Sequence, residues 1–145
     1  RLEKIAESAN KVAYKDFAHS PSKVSATTKA VKAQYPDRKV VACLELHTYS
    51  SLNAEFLKEY QGALDAADVA VVFYSPDAVK IKRLEEVTYD QIAQSFQRED
   101  LIIYTNPTEF KDFLFSQNLE NSALLLMSSG NSGGLNFDEV KELIN

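Results

Sequence analysis

Apolar runs rich in β-branched residues alternate with segments of helical spacing along the whole 145-residue chain. Three of the runs, VVACLEL, VAVVFYS and ALLLMS, are apolar over much of their length, which is typical of strands covered on both faces. Such strands belong to parallel sheets, because crossover helices then cover both faces. The five runs occupy residues 11–18, 39–46, 69–75, 101–105 and 123–128.

The segments between the runs carry apolar residues at the spacing of a helix. One predicted helical stripe consists of Leu52, Phe56, Tyr60 and Leu64. A narrower stripe, on the preceding helix, consists of Val24, Thr28 and Val31. Because strand and helix alternate about five times with short connections, we predict an α/β fold with a mostly parallel sheet and helices on both faces.

Capping residues stand where the helices are expected to begin. Ser20-Pro21 and Asn106-Pro107 each place a side-chain acceptor before a proline, which suits the N-cap and the first helical position. Thr88 with Gln91, and Asn136 with Glu139, have the spacing of a reciprocal cap.

The first 18 residues predict a departure from the parallel pattern. Two short strand candidates, 1–7 and 11–18, are separated by Ser8-Ala9-Asn10. A three-residue turn between strands favours a hairpin, and hence one antiparallel strand on the sheet. We therefore expect a single domain over residues 1–145 with about six strands.

Composition excludes several functional classes. Sixteen basic against 21 acidic residues give a net charge of −5, so the electrostatic footprint of a nucleic-acid binder is absent. The longest apolar runs are about seven residues, against the ~18 that a membrane helix needs, and we find no signal peptide. A single cysteine, Cys43, points to a reducing compartment. Because the chain begins at Arg1 and its only methionine is Met127, we expect it to be part of a longer protein.

Polar residues follow three of the predicted strands, at the edge of a parallel sheet where ligands collect. The turn over 15–22 contains Asp16 and His19, and the turn over 45–51 contains His47. The turn over 127–134 contains three of the four glycines. Because both histidines of the chain lie in these turns, we predict a functional site there.

Each of these residues also has a purely structural interpretation. Asp16 could satisfy the backbone of its loop, a loop histidine could lie on the surface, and the glycines could only provide positive φ. Cys43 is expected to pack inside a strand and, without a partner motif, to hold no zinc. Since the sequence contains no P-loop, dinucleotide-binding or nucleophile-elbow motif, we do not expect a complete enzyme.

Four segments resemble a known family in the right order along the chain. Residues 16–21 (DFAHSP) resemble the Asp-Asp-Tyr/Phe-Gly/Ala-His-His-Pro segment that opens the C-terminal domain of the Mur ligases. Residues 47–50 (HTYS) resemble the Pro-His-Arg-Tyr-Thr-Arg segment of the UDP-N-acetylmuramate–L-alanine ligases, and residues 66–69 (AADV) resemble Asp-Ala-Asp-Val. Residues 127–134 are more similar to the ligase that reattaches murein tripeptide to UDP-N-acetylmuramate.

The resemblance implies a Rossmann-like, six-stranded fold with one antiparallel strand, and a role in bacterial peptidoglycan (cell-wall) biosynthesis in the cytoplasm. It implies N-terminal and central domains in the same protein, the central one binding most of ATP and Mg²⁺. The family joins an amino acid or peptide to a muramoyl carboxylate that ATP has activated as an acyl-phosphate. The C-terminal domain brings the incoming amine and is expected to be inactive alone.

The resemblance also assigns roles to residues. Arg1 and Asp16 correspond to nucleotide-binding positions, and His19 corresponds to a histidine that shapes the catalytic interdomain site. The positions near the incoming amino acid or its carboxylate are His47, Tyr49, Ser50, Ser129, Gly130 and Asn131. The chain departs from the family pattern at Lys15, Ser20, Lys23 and Ser51, which leaves L-alanine and a tripeptide both open as the amine. The alternative is a free-standing Rossmann-like binding module without catalysis.

Overall fold

A computed structural model of the chain describes residues 1–47, 54–75 and 89–145. Six strands form one sheet in the order β1-β2-β6-β3-β4-β5. Only β1 runs antiparallel to its neighbour, and all other pairs are parallel. The prediction of a mostly parallel sheet with an N-terminal hairpin is confirmed. The strands are β1 (Glu3–Glu7), β2 (Lys11–Asp16), β3 (Lys39–Glu45), β4 (Val69–Phe73), β5 (Ile102–Tyr104) and β6 (Ser122–Met127).

Helices in the described ranges cover both faces of this sheet. They are α1 (Pro21–Gln34), α2 (Ala54–Leu57) with a 3₁₀ turn over Lys58–Tyr60, α3 (Tyr89–Ser95), α4 (Pro107–Ser116) and α5 (Phe137–Ile144). The core has two parts, because successive residues of a strand point to opposite faces. In β6, Leu125 packs with the layer of α1, α2 and α3, whereas Leu124 and Leu126 pack with the layer of α4 and α5.

The central position of β6 determines where a site forms. Helix α1 carries the chain from β2 past one strand position to β3, and β6 later fills that position. Asp16 and Leu44 both pair with Met127, so the ends of β2 and β3 flank the end of β6. β2 and β3 are therefore about 10 Å apart with β6 between them, since neighbouring strands lie about 4.8 Å apart. Such a reversal of strand order is the position where ligands bind in α/β sheets.

The helix predicted over the stripe from Leu52 to Leu64 is shorter than expected. Leu52 lies outside the described residues, and the regular helical segment ends at Tyr60. Gly62 then adopts a φ of +74°, which turns the chain out of the helix. Tyr60 and Leu64 are still fully buried, so the apolar spacing identified the core residues correctly.

Of the four predicted N-cap residues, two make a capping hydrogen bond and one does not. The Asn106 side chain accepts hydrogen bonds from two backbone N–H groups of α4, and the Asn136 side chain accepts one from Asp138 N–H. Ser20 occupies the N-cap of α1, but its side chain makes no capping hydrogen bond, contrary to the prediction. The Pro21 ring at the first position fixes φ for the helix without that bond. Among the described residues, the predicted return bond from Glu139 to Asn136 N–H is not made, because the Glu139 carboxylate pairs with Lys111 instead. Thr88, the fourth predicted cap, lies outside the described residues.

The described helices include none that is both long and apolar enough to cross a membrane.

Candidate functional site

A cleft of about 340 Å³ opens at the carboxyl edge of the sheet. Its walls come from both strands of the hairpin, from the turn after β6 and from the start of α5. The walls combine charged groups with exposed aromatic surface. They include Arg1, Lys15, Asp16, Phe17, Gly130 and Phe137.

Asp16 closes the turn after β2. Its Oδ1 accepts a hydrogen bond of 2.7 Å from Ala18 N–H, while its carbonyl accepts one of 3.0 Å from Ser128 N–H. The carboxylate therefore satisfies its own loop, as the structural interpretation predicted. Asp16 also lines the cleft, and the backbone nitrogen of Arg1 lies 3.6 Å from Asp16 Oδ1.

His19 lies in the same turn with one ring nitrogen engaged. Its Nδ1 is 2.9 Å from the carbonyl oxygen of Phe17, and a carbonyl only accepts, so Nδ1 carries the proton. In the neutral ring, Nε2 is then the nitrogen with a free lone pair. Phe17 packs edge-on against this ring and is 63% exposed. The Tyr60 hydroxyl donates to the His19 carbonyl, which fixes the loop to the 3₁₀ turn.

The structure brings His47 and Gly130 into contact. His47 is exposed just after β3, and its imidazole lies against the Cα of Gly130 in the turn after β6. A Cβ on residue 130 would be 2.8 Å from His47 Cδ2. The His47 ring can therefore approach the turn this closely only because residue 130 has no side chain. Tyr49 and Ser50, predicted beside His47, lie outside the described residues.

The turn after β6 is held by a buried carboxylate that the sequence analysis did not select. Glu45 is only 8% exposed, and its Oε1 accepts hydrogen bonds from the Ser128 hydroxyl and from Ser132 N–H. Ser128 Oγ in turn accepts from Gly130 N–H at 2.8 Å. An acidic residue near the end of the apolar run VVACLEL was the signal that could have identified this group.

The other predicted residues of this turn differ in their surroundings. Ser129 is half-buried, and its Oγ has no hydrogen-bond partner in the described part of the chain. Asn131 is exposed, and its carbonyl accepts from Gly134 N–H. Gly133 and Gly134 have φ values of +71° and +82°, so these two glycines meet the expected need for positive φ.

Two cations border the cleft on the hairpin side. Arg1 is exposed, and Lys15 Nζ lies 3.2 Å from a Glu3 carboxylate oxygen and 4.6 Å from the centre of the Phe137 ring. Lys15 and Phe137 were not among the predicted site residues. From the sequence, Lys15 stood out only as a departure from the resembled segment.

Cys43 is buried within β3, as predicted, and burial raises the pKa of its thiol to about 12. Tyr14 and Tyr74 are buried as well. Across residues 1–47, 54–75 and 89–145, no three His, Cys, Asp or Glu side chains are grouped to hold a metal ion.

Comparison with known proteins agrees with this architecture. The family described as "Mur ligase, glutamate ligase domain" matches residues 1–130. The chain is 29% identical over 119 residues to a UDP-N-acetylmuramate–L-alanine ligase from Sulfurihydrogenibium sp. (strain YO3AOP1), covering 79% of this chain and 25% of that protein.

Solved structures share the fold. A murein peptide ligase from Psychrobacter arcticus superimposes with a TM-score of 0.75 at 17% identity, over 99% of this chain and 29% of that one. A domain from Haemophilus ducreyi, crystallised as a domain, gives a TM-score of 0.59 at 25% identity, over 97% of this chain and 96% of that one. The chain spans about a quarter of the curated relative. Since the family match extends over residues 1–130, the chain belongs to the Mur ligase family through its glutamate ligase domain.

Proposed function

We propose that this chain is the amine-binding C-terminal domain of an ATP-dependent peptidoglycan-precursor ligase. The enzyme would join L-alanine, or a tripeptide containing it, to UDP-N-acetylmuramate through an acyl-phosphate. The observation that carries the proposal is the meeting of β2, β6 and β3 at one edge, with Asp16, Gly130 and His47 at their ends. The relatives support both amines, because one is an L-alanine ligase and another a murein peptide ligase.

The hairpin side of the cleft fits the nucleotide. Arg1 and Lys15, the latter paired with Glu3, place cationic groups at a wall that also presents the aromatic rings of Phe17 and Phe137. Phosphate groups favour such cations, and apolar surface favours a base. In this assignment, Arg1 and Asp16 contact the nucleotide from the C-terminal domain. When bound, ATP supplies the phosphoryl group that activates the acceptor carboxylate, and magnesium offsets phosphate charge.

His19 is the residue we assign to proton transfer. Its Nδ1–H is held by the Phe17 carbonyl, which leaves Nε2 to accept a proton from the incoming amine. The amine becomes a nucleophile only after losing a proton, so this role would place His19 directly at the reaction.

The β3 side of the site is assigned to the incoming amino acid or peptide. His47 and the turn containing Ser129, Gly130 and Asn131 are in contact, and backbone N–H groups of such a turn suit a carboxylate. The buried Ser129 hydroxyl, unpartnered within the described residues, supports a polar ligand nearby. Tyr49 and Ser50 remain part of this prediction.

The rest of the enzyme would come from other domains. We propose a three-domain protein whose N-terminal domain binds UDP-N-acetylmuramate and whose central domain binds most of ATP and Mg²⁺. Residues 1–145 alone would then have no ligase activity. The proposed setting is the bacterial cytoplasm, where the UDP-linked precursors are made.

Kinetics of the full-length ligase test the division of the site. His47→Ala should raise the KM for the amine, whereas Asp16→Ala should raise the KM for ATP, each about tenfold or more. Asp16→Asn is the matched control, because its amide oxygen can still accept from Ala18 N–H. Unchanged constants in both alanine variants would refute the assignment. Tight ligand binding by the 145-residue chain alone would instead favour a free-standing binding module.

A further inference from the structure

Glu45 is a buried carboxylate with an unusual set of partners. It is 8% exposed at the end of β3, and no cationic side chain in the described residues pairs with it. Its Oε1 instead accepts from the Ser128 hydroxyl at 2.5 Å and from Ser132 N–H at 3.0 Å. Burying an ionised group is costly unless hydrogen bonds compensate it, so these two bonds strongly constrain the turn.

Ser128 extends this constraint to the next residues. Its hydroxyl donates its hydrogen to Glu45, so its oxygen lone pairs are free to accept from Gly130 N–H. Both ends of the segment 128–132 are therefore tied to one oxygen of Glu45. The backbone of Gly130, in the middle of the segment, is tied through Ser128.

The same strand end also provides His47, which contacts Gly130 directly. Glu45 is the last residue of β3 and His47 follows it by two residues, so one short stretch of chain both fixes the turn and lies against it. Moving the turn by even a fraction of an ångström would change the contact between His47 and Gly130, because the two are at van der Waals distance.

We infer that Glu45 is a positioning residue for the amine subsite: it holds the turn 128–132 in place against His47. The identity of the substrate in this inference rests on the proposed function, whereas the positioning of the turn rests on the hydrogen bonds alone. Glu45 acts through Ser128 and Ser132, and we do not assign it a contact with substrate. What matters is an acceptor oxygen at this position, so Gln should replace Glu far better than an apolar residue of the same length.

Three substitutions and a control test the inference. Glu45→Met removes the acceptor, Glu45→Gln keeps an acceptor oxygen, and Ser128→Ala breaks one bond from the other side. Ser122→Ala is the matched control, since Ser122 is a buried serine at the opposite end of β6. The first measurement is amide hydrogen exchange at Gly130 and Ser132 in the 145-residue chain. The second is the KM for L-alanine or the tripeptide in the full-length ligase.

We expect Glu45→Met and Ser128→Ala to speed exchange at these amides and to raise the amine KM, each about tenfold, with kcat changed less than about twofold. Glu45→Gln and Ser122→Ala should stay within about threefold of the wild type. Unchanged exchange and KM in Glu45→Met would overturn the inference. The inference would also be overturned if Glu45→Gln raised the amine KM as much as Glu45→Met while its Gly130 and Ser132 amides stayed protected. In that case the charge of Glu45, and not its acceptor oxygen, would be the important property.

The two proposals fail in different ways. If the wild-type enzyme turned over neither amine, the proposed function would fail, while amide exchange in the chain would still decide whether Glu45 positions the turn. If Glu45→Met does not fold, Ser128→Ala and Glu45→Gln decide the outcome on the same two measurements.

Discussion

The imidazole of His47 occupies the space that a side chain at residue 130 would need. A Cβ on Gly130 would lie 2.8 Å from His47 Cδ2 and 3.0 Å from its Nε2. The φ of Gly130 is not in the left-handed region, so only the His47 ring opposes a side chain there, whereas Gly133 and Gly134 have positive φ. Two residues that the sequence placed at one site are thus in direct contact.

Gly130→Ala should displace the His47 ring while barely changing stability. The ring is exposed and can move away from a methyl group, so we expect a change in the free energy of unfolding within about 0.5 kcal/mol. The measurement is the chemical shift of the His47 ring protons together with the melting temperature. Unchanged His47 resonances would contradict the contact.

Gly134→Ala and Gly133→Ala should have the opposite effect, namely lower stability with less change at His47. A Cβ on Gly134 meets nothing within 4 Å, but its φ of +82° strains any other residue, which predicts a loss of about 1 kcal/mol. A Cβ on Gly133 adds a 3.0 Å contact with the buried Phe73 ring, which predicts a loss of about 2–3 kcal/mol. Urea denaturation of the two variants measures which of them loses more free energy of unfolding. A smaller loss for Gly133→Ala than for Gly134→Ala would contradict this packing.

Asp68 should stabilise the fold in a pH-dependent way. Partial burial alone would raise its pKa, but the Val40 N–H bond and the Lys32 ammonium outweigh burial and lower the pKa below its ordinary range. A lowered pKa in the folded state means that the stabilisation is complete above the unfolded pKa of about 4. It is lost as pH falls through the folded pKa.

Asp68→Asn should therefore cost up to about 1 kcal/mol at pH 7, since the side chain is 44% exposed and solvent screens the pair. The difference from wild type should shrink as the pH falls below about 4. Glu142→Gln, at an exposed carboxylate, is the control for the change in net charge. A difference independent of pH between 7 and 3 would exclude this linkage.

Cys43 should be inert in the native state. Burial raises the pKa of its thiol to about 12, so the reactive thiolate is a negligible fraction near neutral pH. Because it is the only cysteine in the chain, all reaction with a thiol reagent reports on this residue. Labelling should be negligible in buffer and complete in denaturant. Fast labelling of the folded chain would show that β3 is more accessible than described.

Much of the fold follows from local patterns. The apolar runs predicted β3, β4 and β6 because strands covered on both faces need apolar residues at consecutive positions. The short turn after Glu7 predicted the antiparallel pair. The helix end near Tyr60 was missed, because apolar spacing reports burial and continues through a turn that Gly62 introduces.

The site was only partly predictable, because tertiary contacts decide it. The histidines and the glycine-rich turn stood out as polar groups at strand ends. Glu45 was overlooked because its partners, Ser128 and Ser132, are more than 80 residues away in the chain. Only the neighbouring positions of β3 and β6 in the sheet bring these residues together.

Amine-dependent phosphate release by the full-length ligase tests the central claim most directly. The assay contains UDP-N-acetylmuramate, ATP and magnesium, with L-alanine and L-Ala-γ-D-Glu-diaminopimelate supplied in turn. We predict that one of the two amines stimulates phosphate release and that His47→Ala weakens this stimulation. Folded protein that binds ATP but releases no phosphate with either amine would contradict the assignment of this domain to muramoyl-peptide ligation.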